Sequence, residues 1–299
     1  MKLSVTHETT YQYLHPVHTA QHLAFLQPID LATQRCIQHQ LTIDPEPHDV
    51  SNSVDAYGNH RTHWSLAQVH DHLRVRSVSE VHTCELESHD CHDSWESVRE
   101  HFRYRSGHPG DIHSAFVFAS HHAPIHANFA TFARDCFEPS SPMVESCVNL
   151  MHKIHTQLRY ESLSTDVHTP ALQALEQGHG VCQDFAHIQV ACLRSLGLAA
   201  RYVSGYLLTH PPEGQERLIG SDASHAWVSV YVPSAREHGC GGWLDLDPTN
   251  DRWGWGSPGT DYVHVAMGRD FADVSPLRGV IQGGAQHTLE VAVTVQPMA

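Results

Sequence analysis

The chain has 299 residues, enough for one large domain or two smaller ones, and a formal net charge of -15 at pH 7. That balance excludes the basic stripe a nucleic-acid partner needs, and no run of about 18 apolar residues exists to span a membrane. With 40% hydrophobic and 17% charged residues, scattered cysteines and no apolar leader after Met1, a reduced, cytoplasmic, globular protein is expected.

The first 85 or so residues read as β-rich. Leu3, Val5, His7, Thr9, Tyr11 and Tyr13 alternate with mostly polar neighbours, as a half-buried strand does. Ile37, His39, Leu41 and Ile43 repeat the pattern up to the Pro45-Glu46-Pro47 break. Ala56-Tyr57-Gly58-Asn59-His60 reads as a hairpin turn into Thr62-His63-Trp64-Ser65-Leu66, and Leu73 and Val75 lie on a further strand. His7, His39 and His63 fall on strand faces and read as structural. The expected role of this module is to pack on, or shape access to, the second part of the chain.

After the polar stretch 85–93, Asp93 with Glu96 reads as a capping box for a helix carrying Trp95, Val98 and Phe102. Helical patterns come next around Ala127 to Cys136 and Met143 to Leu158, separated by Pro139-Ser140-Ser141-Pro142. A short helix from Pro170 to Gln177 stops at Gly178. Gly178 and Gly180 mark a turn needing backbone freedom or close approach. Beyond it Phe185, Ile188, Cys192 and Leu196 recur at helical spacing until Gly197. Cys182 therefore sits in a first helical turn, where unpaired amides and the positive end of the dipole favour a thiolate and can stabilise an oxyanion.

A strand is expected over Ala199 to Leu208, then a long polar loop, Thr209 to Ser224, that can gate a site beside it. His225, Trp227, Ser229 and Tyr231 then share one strand face, and Trp243, Asp245 and Asp247 share one face of the next strand. Paired antiparallel, these strands bring His225 beside one of the aspartates. Alternation alone does not choose between them. A Cys nucleophile, a His that takes and returns its proton and a carboxylate that holds the imidazole tautomer make a thiol triad. The final Leu289, Val291, Val293 and Val295 read as a closing strand without chemistry.

The chain holds 29 histidines. His18 with His22, and His122 with His126, have the spacing that binds an ion on a helix, but the histidines are spread throughout and no CxxC accompanies them. No metal and no organic cofactor is expected.

Gly180-Val181-Cys182-Gln183-Asp184-Phe185-Ala186-His187, Ala200-Arg201-Tyr202-Val203-Ser204-Gly205-Tyr206, Ser224-His225-Ala226-Trp227 and Asp247-Pro248-Thr249-Asn250, in that order, resemble the bacterial transglutaminase-like superfamily. The β-rich start resembles the N-terminal region found before that core, and the segment from Gly268 to Gly279 its C-terminal portion. The resemblance implies an α+β fold with an N-terminal antiparallel β domain and a transglutaminase/papain-like catalytic core. It implies a triad of Cys182, His225 and Asp247. The expected division is a β-rich domain over 1–90, a helical connection over 91–158 belonging to the catalytic part, and a core over 159–299 that includes the C-terminal strands.

Tyr160, Gln183 and Trp227 are candidates for the oxyanion hole or substrate cleft, together with the Cys182 N–H. Asp184 and Arg201 are expected to pair and brace the core. Arg269, Asp270 and Asp273 line the cleft or tie the C-terminal segment down. The chemistry expected first is thiol-dependent hydrolysis of a peptide or isopeptide amide through a Cys182 thioester. Acyl transfer to an amine, deamidation of glutamine and a silent peptide-binding module are the alternatives. The partner is then a peptide or protein substrate, with an amine acceptor for transfer; oligomeric state is left open.

Overall fold

A computed structural model describes residues 1–87, 91–106, 110–161, 165, 169–209, 224–237 and 241–298. The N-terminal half is built on one long strand, β1 (Lys2–Ala24), with β2 (Gln34–Asp44), β3 (Asp49–Val54), β4 (His60–Leu66) and β5 (His70–Thr83). These lie in the order β2-β5-β1-β4-β3, all antiparallel. The turn between β3 and β4 is organised by Asp55, whose Oδ1 accepts from the Tyr57 and Asn59 N–H groups at 2.8 and 2.9 Å. The Asn59 side chain donates to Met267 O and accepts from Met267 N–H, fastening this turn onto the second half.

Among the described residues, three α-helices come next: α1 (Trp95–His101), α2 (Ala127–Ala133) and α3 (Met143–Gln157). The cap of α1 is Ser94, one residue later than the sequence pattern suggests, and its side chain accepts from Ser97 N–H. Glu96 instead accepts from Ser140 N–H at 2.9 Å, so it joins two segments rather than closing a capping box. Strand β6 (Arg159–Tyr160) pairs in parallel with β7 (His179–Gly180), with α4 (Ala171–Gln177) between them. The chain continues through α5 (Cys182–Ser195), β8 (Ala200–Leu207), β9 (Ser224–Tyr231), β10 (Trp243–Asp247), β11 (Arg252–Trp255), β12 (Tyr262–Gly268), α6 (Phe271–Val274), β13 (Leu277–Gly283) and β14 (His287–Pro297). The polar loop expected to gate the site lies, apart from its two ends, outside the described residues.

Strands β8 to β12 form a five-stranded antiparallel sheet in the order β11-β10-β9-β8-β12. Its face carrying Ala226, Val228, Val230, Leu244 and Leu246 packs on α5 and its helical neighbours. The pattern marked one apolar stripe on α5, but every side chain from Asp184 to Arg194 is buried. A helix enclosed all round is a central helix. Its buried Arg194 is satisfied by the carbonyls of Phe116, Ala200 and Arg269. His18 and His22 lie on β1, not on a helix, so their spacing does not bring them onto one helical face.

The C-terminal strands depart from the expected division. β13 pairs with the second half of β1 and β14 with its first half, so both belong to the N-terminal sheet, which thereby has seven strands. β1 has unpaired backbone on that side, and pairing is the way to satisfy it. Among the described residues, no helix is long and apolar enough to cross a membrane.

Candidate active site

The site begins at the turn between α4 and α5. Gly178 closes α4 in the left-handed region, φ +71°. Gly180 is required by contact: a Cβ there would lie 2.7 Å from Asp184 Oδ2. That carboxylate turns back to accept from Val181 N–H at 2.8 Å and from Thr165 Oγ1 at 2.6 Å. The acid complements the helix dipole and fixes the turn that delivers Cys182. Cys182 is half-buried, and the first amides of the helix have no intrahelical acceptor.

His225, at the start of β9, lines the same cavity as Cys182 and interacts with it side chain to side chain. Its Nε2 lies 2.7 Å from Asp247 Oδ2, which leaves Nδ1 for the thiol. Asp247 ends β10, beside β9, and is fully buried. The same Oδ2 accepts from Tyr262 O–H at 2.6 Å and Asn250 Nδ2 at 2.7 Å. Oδ1 accepts from the N–H groups of Thr249 and Asn250 at 2.9 and 3.3 Å. Burial raises the Asp247 pKa, but the His225 charge and these hydrogen bonds outweigh it and leave it low. Burial likewise disfavours charge on His225, and Asp247 and then Cys182 more than reverse this. The arrangement thus holds a proton on the ring between a thiol and a carboxylate.

Asp245 does something else. Its Oδ2 accepts from His264 Nε2 at 2.7 Å and from Trp227 Nε1 at 3.0 Å. This layer lies one residue pair deeper along the same sheet face. Trp227 is therefore not a cleft residue. It is fully buried, its ring stacked 6.0 Å from His225 and edge-on to Tyr262 and His264. Alternation gave its face correctly but not its depth.

Arg201 shares that face, which turns it away from α5 and Asp184. Its guanidinium lies over the Trp243 ring at 3.6 Å, and its neighbouring carboxylate is Asp245. The expected pair with Asp184 is thus replaced by two separate supports, one beneath the sheet and one at the helix cap.

Tyr160 stands beside Gly180 through the β6–β7 pairing and is half exposed. Gln183 lines the cavity that contains Cys182 and His225, about 410 Å³ in volume. Tyr202 lines the same cavity as Cys182, and burial first, then the neighbouring Cys182, Asp184 and Asp270, raises the pKa of its phenol. Arg269 and Asp273 form a two-pronged ion pair, while Asp270 caps α6 and accepts from His122 N–H at 2.8 Å. These three tie the C-terminal segment down.

Residues 3–82 match the bacterial transglutaminase-like N-terminal region, and residues 130–248 match the transglutaminase-like superfamily. The chain belongs to the transglutaminase-like superfamily. An uncharacterized protein of Mycobacterium tuberculosis is 40% identical over 299 residues, covering 98% of this chain and 92% of its own. One from Mycobacterium leprae is 30% identical over 301 residues, covering 100% of this chain and 99% of its own. Among solved structures, a putative cysteine protease from Cytophaga hutchinsonii superimposes with a TM-score of 0.75 at 20% identity, covering 100% of this chain and 92% of that one. That likeness carries the fold.

Within this transglutaminase-like site, sequence reasoning gave no role to Tyr262 or His264 and read His7 as structural. Tyr262-Val263-His264-Val265 alternates, which signals a strand with two polar rings on one face, but not which strand it joins. His7 lies in the wall of the cavity that holds Cys182 and His225, with Nδ1 2.9 Å from Tyr206 OH and Nε2 3.0 Å from Thr9 Oγ1. Burial holds its pKa down to about 4, so it is neutral at physiological pH.

Proposed function

We propose that the chain hydrolyses a peptide or isopeptide amide through a thioester on Cys182. The reading rests on one observation: His225 stands between the Cys182 thiol and the Asp247 carboxylate. In this mechanism the thiol proton has passed to His225, and the sulfur attacks the carbonyl carbon. The Cys182 N–H, at the open end of α5, faces the developing oxyanion. His225 then gives its proton to the leaving amine as the C–N bond breaks. Water attacks the thioester, His225 takes the water proton, and the acid leaves as the thiol is restored. Asp247 holds the ring with Nε2–H toward itself, which leaves Nδ1 to exchange the proton with sulfur. Family membership supports a cysteine hydrolase or acyltransferase core. An amine that reaches the thioester before water converts the same first half-reaction into transfer.

The test is mass spectrometry of a peptide and amine library incubated with wild type, Cys182→Ala and His225→Ala. Product masses separate hydrolysis, deamidation and transamidation, and the expected products are the cleaved acids. Full turnover by Cys182→Ala would refute the mechanism. A wild type in which no cysteine is selectively labelled by a thiol probe at neutral pH would point to the silent binding module.

A further inference from the structure

The face of the N-terminal sheet that covers the core carries Leu3, Val5, His7, Thr9 and Tyr11 on β1. Opposite them on β14, Val5 pairs with Val295, Thr9 with Val291 and Tyr11 with Leu289. This face changes surroundings part-way along. Leu3, Val5, Val293 and Val295 are buried against Tyr206, Leu208, Val263 and Val265 of the core. Leu289 and Val291 continue the same row, yet they are 50% and 51% exposed. The row has run past the edge of the core, and there it forms one wall of the cavity holding Cys182 and His225. Phe271, Pro276 and Leu277 line the same cavity.

Exposed apolar residues in a row are unfavourable in a free protein unless something covers them. Here the covering group must also lie beside the nucleophile. Among the described residues, no Asp, Glu, Lys or Arg lines this cavity, although the chain carries 33 acidic and 18 basic residues. The titratable side chains described in the sheet wall are uncharged at neutral pH: burial holds the His7 pKa down to about 4 and raises that of Tyr11. A cavity of about 410 Å³ takes a side chain or two rather than a folded partner.

We propose that this shelf of Tyr11, Leu289 and Val291 is a specificity subsite, and that it selects substrates with a large apolar side chain flanking the attacked carbonyl. The N-terminal sheet is thereby part of the substrate site rather than only a support. The inference rests on Cys182 being the nucleophile, as proposed above.

Three peptidyl chloromethyl ketones, identical except for Phe, Ala or Glu beside the reactive carbon, test it. In each, sulfur displaces chloride and the S–C bond forms at Cys182. Iodoacetamide, which carries no side chain, gives the reference rate. Wild type is expected to label with the Phe probe at least about tenfold faster than with Ala, and faster still relative to Glu, the range that pocket contacts of this size give. In Val291→Asp and Leu289→Asp the ratio of the Phe rate to the iodoacetamide rate should fall about tenfold. Val280→Asp, an exposed strand position outside the cavity, should keep the wild-type ratio. Equal rates for the three probes, or ratios unmoved in both shelf variants, overturn the subsite and leave the mechanism standing. A Cys182 that reacts with none of the reagents overturns both.

Discussion

Replacing Asp247 by Asn removes one charge and almost no volume, and the hydrogen bonds around the carboxylate decide the effect. Oδ1 faces two backbone N–H groups, of Thr249 and Asn250, which cannot turn away. Oδ2 faces the Tyr262 hydroxyl, the Asn250 side chain and the His225 ring. The new amide must put its oxygen where the immovable donors are, because a buried donor facing a donor costs about 1–3 kcal/mol. Its NH₂ then points at His225 Nε2. The ring answers by placing its lone pair on Nε2 and its proton on Nδ1, toward Cys182. The base is now blocked, and triads with the wrong tautomer lose about 10⁴ in kcat, equivalent to roughly 5 kcal/mol of barrier. Asp245→Asn meets no such conflict. Its Oδ2 can remain an oxygen for His264 and Trp227, since Oδ1 has no hydrogen-bond partner among the described residues. We expect less than about a tenfold loss in turnover, with a stability cost on the order of 1–3 kcal/mol from the changed charge beside Arg201. Steady-state kinetics on a cleaved library peptide, with thermal melts of both variants, measure this. If Asp247→Asn loses less than Asp245→Asn, the argument from donor geometry fails.

His225→Ala should slow alkylation of Cys182 by iodoacetamide near neutral pH and flatten its pH profile, because both proton acceptor and cationic partner are gone; an unaltered profile would dissociate the two residues. Gly180→Ala drives a methyl into the Asp184 carboxylate, so it should destabilise the fold by about 1–3 kcal/mol and lower Cys182 reactivity together. Finding one effect without the other would separate the cap from the nucleophile. Tyr262→Phe removes one donor to Asp247 and should reduce turnover modestly, about three- to tenfold, with Cys182 still selectively labelled. Loss of all labelling in that variant would instead mark Tyr262 as essential to the fold of the site. Burial holds His7 and His22 down to about 4 and His187 to about 3, all below their unfolded values. Their contribution to stability is present above about pH 6.5 and is lost as pH falls toward 3–4, with a slope of at most about 4 kcal/mol per pH unit. His225 has the opposite sign: its folded pKa is raised, so its contribution is present below about 6.5 and is lost as pH rises through the folded value. Thermal melts should therefore fall between pH 6.5 and 4, and a flat or rising Tm over that window would show that these histidines are not held neutral.

The sequence by itself determined those features whose cause is local. Gly178, Gly180 and the apolar periodicity after them place Cys182 at a helix start, because backbone freedom and a 3.6-residue repeat act over one or two turns. Period-two alternation set the faces of His225, Asp245 and Asp247. Depth and partner belong to the tertiary structure. Asp247 rather than Asp245 meets His225 because the strand register and the Tyr262 and Asn250 donors converge at the strand end. Trp227 is buried and Arg201 is turned from Asp184 because a central sheet has two covered faces, and alternation does not say which layer covers which. The cleft wall itself is the most distant effect. β14 pairs with β1 from the other end of the chain, and that pairing leaves Leu289 and Val291 beside Cys182. A strand's pattern records that one face is to be covered; the partner that covers it is chosen by pairing across the whole chain, which no local window contains.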